Sequence, residues 1–254
     1  MRVIGVLHLQ PLPGSPLYTS FDGVVEAALR DAKMLEEGGV DAIIVENYGD
    51  KPFLPEVGKE TVAAMTAIAL EIKREVGIPI GINVLRNDAI AALAIAKAVK
   101  ADFVRINQLF FSSISPEGLL EGRAGEVMRY KKAIDCKAKV FADVSVKHAH
   151  HIATLEEYLD NLERSLADAV IVTGTATGKP VDLEELARVR RSCSLPVYAG
   201  SGVTADNVAE LLRHADGVIV GTYFKKDGKV DIERVKKLVN AALKHGAESK
   251  KSQY

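Results

Sequence analysis

Eight polar side chains fall inside or at the ends of apolar runs, where a plain hydrophobic core has no use for them: His8, Glu46, Asn83, Arg105, Asn107, Asp143, Lys147 and Thr173. Glu46 and Asp143 are candidate general acid/base groups, because neighbours can push the pKa values of two carboxylates apart. Asn83 and Asn107 can hold substrate hydroxyls, His8 completes the catalytic set, and Thr173 can contact the ligand. Arg105 can fix Asp143 or Glu46 or stabilise developing negative charge. A structural ion-pair plug is the competing reading of Arg105 with Asp143, since a buried charge has to be paired. Lys147 becomes a Schiff-base nucleophile only when desolvated, and pairing with a ligand or carboxylate is its other role.

A second signal is rich in glycine. Gly200-Ser201-Gly202 and Gly221-Thr222 each follow a short apolar run. Bare backbone N–H groups at such glycines can approach a phosphate, and a helix starting at Thr204 would add positive potential. Two tight turns needing φ > 0 are the alternative. Lys225 either assists by charge or is solvated with Lys226 and Asp227. In Lys147-His148-Ala149-His150-His151 the spacing is not that of a helical metal pair, so no protein-bound transition metal is expected. His148 is read as ligand-contacting. A Mg²⁺ bridging substrate phosphate to Glu46 or Asp143 stays open. No Walker loop and no Gly-x-Ser-x-Gly elbow is present.

Alternating elements must carry these groups. Strand-like runs lie at 3–9, 41–46, 79–84, 103–107, 140–146, 169–173, 196–199 and 217–220. Helix-like runs lie near 23–38, 59–76, 88–100, 118–134, 154–167, 182–192, 204–213 and 231–244, with apolar residues at i, i+3 and i+4. Asp22, Asn87, Thr154, Asp182, Thr204 and Asp231 are the N-cap candidates. Eight βα units without an antiparallel insertion predict a single (β/α)₈ TIM barrel over residues 1–246, with a frayed tail at 247–254. A doubly wound sheet is the weaker alternative. Alternation in the fifth run sends Val140, Ala142, Val144 and Val146 outward, and Phe141, Asp143, Ser145 and Lys147 into the barrel. In the fourth, Phe103, Arg105 and Asn107 point inward. Loops after the first and fourth strands are long, and barrel active sites are built at that C-terminal face.

Composition removes other classes. Across 254 residues, 33 Lys+Arg meet 34 Asp+Glu, so no basic surplus favours nucleic acid. Two cysteines give no disulfide framework, which suits a reducing cytoplasm. The first apolar run is broken by His8, Gln10 and Pro11, too early for a signal peptide. Ala89–Ala96 is too short to span a membrane. Peripheral attachment through a partner remains compatible, and a homo-oligomer is expected on general grounds.

With those residues in hand, the sequence resembles the BtpA family, which also includes SgcQ-type proteins, over residues 2–243. The resemblance rests on the segment Gly5–Pro16, on Val45-Glu46-Asn47-Tyr48-Gly49-Asp50-Lys51-Pro52-Phe53, and on Gly81-Ile82-Asn83-Val84-Leu85-Arg86-Asn87-Asp88. It continues through Phe103–Asn107, Ala142–His148, Thr173–Gly178 and Gly200–Val203. It implies a TIM barrel of the ribulose-phosphate-binding type, with His8, Glu46, Asn47, Asn83, Arg105, Asn107, Asp143, Lys147, His148, Thr173, Gly178, Gly200, Ser201 and Gly202 at shared positions. Members of the family are associated with biogenesis or stability of photosystem I as peripheral, membrane-associated accessory proteins. Others look like barrel enzymes of nucleosidase-like or lyase-like type. Two functions therefore stand side by side. One is an enzyme acting on a phosphorylated sugar or ribosyl compound. The other is a non-catalytic accessory factor that uses exposed groups such as Phe110-Phe111 and the Pro-rich first loop. Those same loops could instead close over a substrate.

Overall fold

Branched aliphatic residues dominate the short runs, and such residues favour extended backbone. In the computed structural model, which describes residues 2–145, 149–174 and 181–251, they form eight parallel strands. These are β1 (Val3–His8), β2 (Ala42–Glu46), β3 (Ile80–Asn83), β4 (Phe103–Ile106), β5 (Lys139–Ser145), β6 (Ala169–Thr173), β7 (Val197–Gly200) and β8 (Gly217–Val220). Each pairs with the next, and β8 returns to β1, closing the barrel. The helices are α1 (Phe21–Glu37), α2 (Lys59–Glu75), α3 (Ala89–Val99), α4 (Ala124–Ala133), α5 (Leu155–Asp160), α6 (Leu183–Ser192), α7 (Val208–Leu211) and α8 (Ile232–Lys251). The fold is the expected (β/α)₈ barrel. Its last helix runs on into the segment expected as a tail.

Thr154 starts α5 with a capping box, and Asp182 caps α6 by accepting from Glu184 N and Glu185 N. Asp231 likewise precedes α8 and accepts from Glu233 N and Arg234 N. At three other helices the caps differ from expectation. Ser20 rather than Asp22 caps α1, and Asp88 rather than Asn87 caps α3. α7 is one turn starting after Asn207, not after Thr204, whose own N–H is held by Asn207 Oδ1 at 2.8 Å.

Two apolar layers result from strand alternation. The outward set, including Val104, Val140, Ala142 and Val144, packs under the helices. The inward set forms a separate core of Ile4, Val6, Ala42, Ile44, Phe103, Phe141, Ala169, Ile171, Tyr198 and Ile219. Three rings fill its floor: Phe103 stacks on Phe141 at 4.7 Å, and Phe141 on Tyr198 at 5.1 Å. Gly81 of β3 makes room for them, because a Cβ there would stand 2.3 Å from Phe103 Cε2. The barrel is thus packed below, and polar side chains are confined to its upper end.

One expectation fails. After β4 the chain makes an antiparallel hairpin, Ser112–Ser115 with Gly118–Glu121, and His150–His151 joins its edge. Residues 118–121 were expected to open a helix. Alternation explains the strand: Leu120 and Ser113 are buried opposite each other, whereas Leu119 and Ile114 are exposed opposite each other.

Candidate active site at the barrel mouth

Strand register builds the polar layer. His8 is level with Glu46, Glu46 with Asn83, and Asn83 with Arg105. Parallel pairing therefore sets four inward groups from four strands side by side. Asp143 rises one step above Phe141, just before an irregularity in the β5–β6 pairing.

These side chains form one network. Arg105 donates from Nε to Asp143 Oδ1 at 3.0 Å and from a terminal nitrogen to Oδ2 at 2.9 Å. Asn107 Nδ2 donates to Asp143 Oδ2 at 3.1 Å, and Asn83 Nδ2 donates to Asn107 Oδ1 at 3.0 Å. Glu46 stands 3.8 Å from Arg105 and 3.7 Å from His8. Burial alone would push the Arg105 guanidinium down; Asp143, and after it Glu46, more than reverse that and hold it above its ordinary value. Arg105 is a permanent cation, and its bidentate bond to Asp143 fixes its orientation.

Two cavities open on this layer. The first, about 180 Å³, is lined on one side by Gly200, Ser201, Gly202, Gly221 and Thr222, and on the other by His8, Glu46 and Arg105. The glycine segments thus face the acid–base ring across one space. Ser201 has φ of +82°, a left-handed value rare outside glycine, at the point where β7 ends. Gly221 allows close approach: a Cβ there would lie 3.0 Å from His8 Nε2. The second cavity, about 310 Å³, shares Glu46, Tyr48 and Arg105 with the first and adds Lys51, Phe53, Leu85, Arg86, Asn107, Pro116 and Glu117. Among the described residues, these three shared groups are the ones that see both spaces.

The expected residues therefore divide. His8, Glu46, Arg105 and Asn107 line the cavities, as do the glycine segments. Asp143, Asn83 and Thr173 are buried without lining them. Lys147, His148 and Gly178 lie outside the described residues. Asn47, a shared position of the resemblance, holds the backbone of Leu85 in both directions, accepting at 2.7 Å and donating at 3.2 Å. Phe110 and Phe111 are not exposed contacts. They pack on Tyr158 with ring centres 5.0 and 4.9 Å apart, and the Tyr158 hydroxyl accepts from Gln108 Nε2. His151 Nδ1 lies 3.2 Å from the same hydroxyl. Among the described residues no group of three or more possible metal ligands occurs.

Strand reasoning missed Tyr48, Lys51, Arg86 and Glu117, which sit on loops. His8 stacks on Tyr48 at 4.2 Å, and Lys51 Nζ lies 4.0 Å from the other ring-bearing contact of that pair, the Tyr48 centroid. The first three fall within the motif segments quoted above, and only their side-chain roles escaped notice. Lys225, half-buried beyond β8, has its pKa pushed down to about 8 by burial, partly opposed by Asp31 and Glu46.

Fold and site together define a closed (β/α)₈ barrel whose C-terminal mouth joins a glycine-walled cavity to a ring of paired charges. The chain belongs to the BtpA family, whose model matches residues 1–244. It is 66% identical over 240 residues to an uncharacterized protein of Archaeoglobus fulgidus, covering 94% of this chain and 98% of that one. It is 42% identical over 260 residues to the photosystem I biogenesis protein BtpA of Synechocystis sp., covering 98% of this chain and 90% of that protein. Among solved structures it is similar to N-(5'-phosphoribosyl)anthranilate isomerase from Pyrococcus furiosus, with a TM-score of 0.61 at 17% identity, covering 96% and 99% of the two chains. That likeness is one of fold alone. No helix among the described residues is long and apolar enough to cross a membrane.

Proposed function

We propose that the protein is an enzyme acting on a phosphorylated sugar or ribosyl compound at the barrel mouth. One observation carries the reading. A single cavity has Gly200, Ser201, Gly202, Gly221 and Thr222 on one wall and Glu46, Arg105 and His8 on the other. Bare backbone on the first wall suits a phosphate, and loops after the seventh and eighth strands are where such barrels commonly bind one. The fold neighbour named for a phosphoribosyl substrate is consistent with this. Glu46 faces the ligand and serves as the proton-transfer group, with His8 beside it. Arg105 stabilises negative charge that develops on the substrate. Asp143 acts through Arg105 and is a positioning residue, and Asn107 and Asn83 continue that support. Both cysteines are buried free thiols, which suits the cytoplasm.

Calorimetric titration tests the reading. Ribose 5-phosphate is expected to bind at least about a hundredfold more tightly than ribose, since the phosphate supplies the charged contacts. Thr222→Asp, which sets a carboxylate on the phosphate wall, is expected to abolish that difference. Equal binding of the two sugars to the natural protein would reject the phosphate site.

A second reading, an accessory factor for a membrane complex, draws on the Synechocystis relative and on Ile114, Leu119 and Ile152. They are exposed at 55%, 53% and 67%, the first two on the inserted hairpin and the third just after the strand at its edge. Capture of one defined partner that is lost in an Ile114→Ser/Leu119→Ser variant, with ribose 5-phosphate not bound, would favour it.

A further inference from the structure

The second cavity is the larger of the two, about 310 Å³ against about 180 Å³, and the glycine wall belongs to the smaller. Both are lined by Glu46, Tyr48 and Arg105. A ligand with its phosphate on the glycine wall and its carbons at Glu46 and Arg105 therefore sends its next group into the larger space.

The charges around that space are matched inside the protein. Arg86 Nε lies 3.4 Å from Glu117 Oε2, and Glu117 is not the only partner of Arg86. Arg105 is bidentate to Asp143 and lies 3.8 Å from Glu46. Arg86, Arg105 and Glu46 are all buried. Lys51 is the one further cation among the described lining residues; it is exposed, with its Nζ over the Tyr48 ring. A charged ligand group deep in this cavity would break one of these pairs or stand unpaired, and either is costly.

Between the charges the walls are apolar, formed by Phe53, Leu85 and Pro116. The Phe53 ring is tilted at 54° to that of Tyr48, 6.3 Å away. Asn107 adds a polar group to the lining. Its Oδ1 accepts from Asn83 and its Nδ2 donates to Asp143, which fixes the orientation of the amide. A second N–H remains on Nδ2.

We propose that the second cavity is a subsite for an uncharged, largely apolar ring that carries a hydrogen-bond acceptor, with Phe53, Leu85 and Pro116 against the ring and Asn107 Nδ2 donating to the acceptor. The inference deepens the phosphate reading, on which it rests for the other end of the molecule. The substrate class becomes a sugar phosphate bearing such a ring. The bond that joins ring to sugar lies beside Glu46 and Arg105, which line both cavities. Burial of the ring supplies affinity and leaves every charge pair intact. A rigid ring also loses less freedom on binding than an alkyl chain of the same size, and its edge suits the tilted aromatic wall.

Benzamide, benzoate and benzamidinium test the subsite, because they share a ring and a size and differ in charge. Thermal unfolding of the full chain is followed with each. At about 20 mM, benzamide is expected to raise the Tm of the natural protein by about 2 °C, and each charged analogue by less than about 0.5 °C at equal ionic strength. Acetamide, which has the acceptor without the ring, is expected to give no rise. Phe53→Asp, which sets a carboxylate in the apolar wall, should lose the benzamide response. Should that variant fail to fold, a crystal of the natural protein soaked in benzamide decides, with the ring expected against Phe53, Leu85 and Pro116. No rise with benzamide, an equal rise with either charged analogue, a response that survives in Phe53→Asp, or benzamide density elsewhere overturns the subsite. Ribose 5-phosphate is titrated in parallel. Its binding without the benzamide response overturns the ring subsite alone. The benzamide response without ribose 5-phosphate binding supports the subsite and overturns the phosphate reading instead.

Discussion

Arg105 and Asp143 show how a single residue pair can be both a cost and a tool. Removing two charges from water is expensive, and the bidentate bond offsets that only because Asn107 satisfies Asp143 further. Such a pair is a poor device for stability alone but a good one for orientation. It points the guanidinium of Arg105 into both cavities. Asp143→Leu is expected to destabilise the protein by about 3–5 kcal/mol, because it strands a buried cation. Asp143→Leu with Arg105→Met should recover most of that loss in urea unfolding, and an equal loss in single and double variants would show that the pair is not the cause. Much of this layer was legible. Alternation along the fourth and fifth strands already sent Arg105, Asn107 and Asp143 inward. It could not reveal that Asp143 is screened from the cavities, because that depends on how far each side chain rises above its strand. Nor could it reach Arg86 and Glu117, since loops carry no period from which to read a facing side.

At the scale of elements, the barrel floor sets the height of the site. Phe103, Phe141 and Tyr198 fill the lower interior, and Gly81 is the space that Phe103 takes. Gly81→Val is therefore expected to cost about 1–3 kcal/mol or more by overpacking. Phe103→Leu in the same chain should return part of it, with a coupling energy above about 0.5 kcal/mol in a double-mutant cycle. Strict additivity would separate the two positions. Eight strands and their order were readable from apolar runs, and β6 and β8 match their expected limits. The hairpin was not, because Gly118-Leu119-Leu120-Glu121 is too short to separate a period of two from a helical one. The chain did carry a hint, since Ser115-Pro116-Glu117-Gly118 has the residues of a turn.

For the whole molecule, the near balance of 33 basic and 34 acidic residues is partly internal, with Arg105, Arg86, Glu46, Asp143 and Glu117 gathered at one mouth. Lys225 links this interior to pH. Its pKa falls from 10.5 to about 8 on folding. Below about pH 8 both folded and unfolded chains hold its proton, and the burial penalty is fully present. Between that value and 10.5 the unfolded chain binds the proton and the folded chain does not, so stability rises with pH. Relative to Lys225→Met, the unfolding free energy of the natural protein is expected to climb across this window by roughly 1–3 kcal/mol. A constant difference from pH 7 to 11 would show that Lys225 is solvated.

The proposed function turns on where phosphate sits. The most direct measurement is a crystal structure of the protein with ribose 5-phosphate. The expected result is phosphate density against the backbone of Gly200, Ser201, Gly202, Gly221 and Thr222, with the sugar reaching Glu46 and Arg105. A phosphate bound elsewhere, or a barrel mouth without the sugar phosphate at saturating concentration, would contradict it.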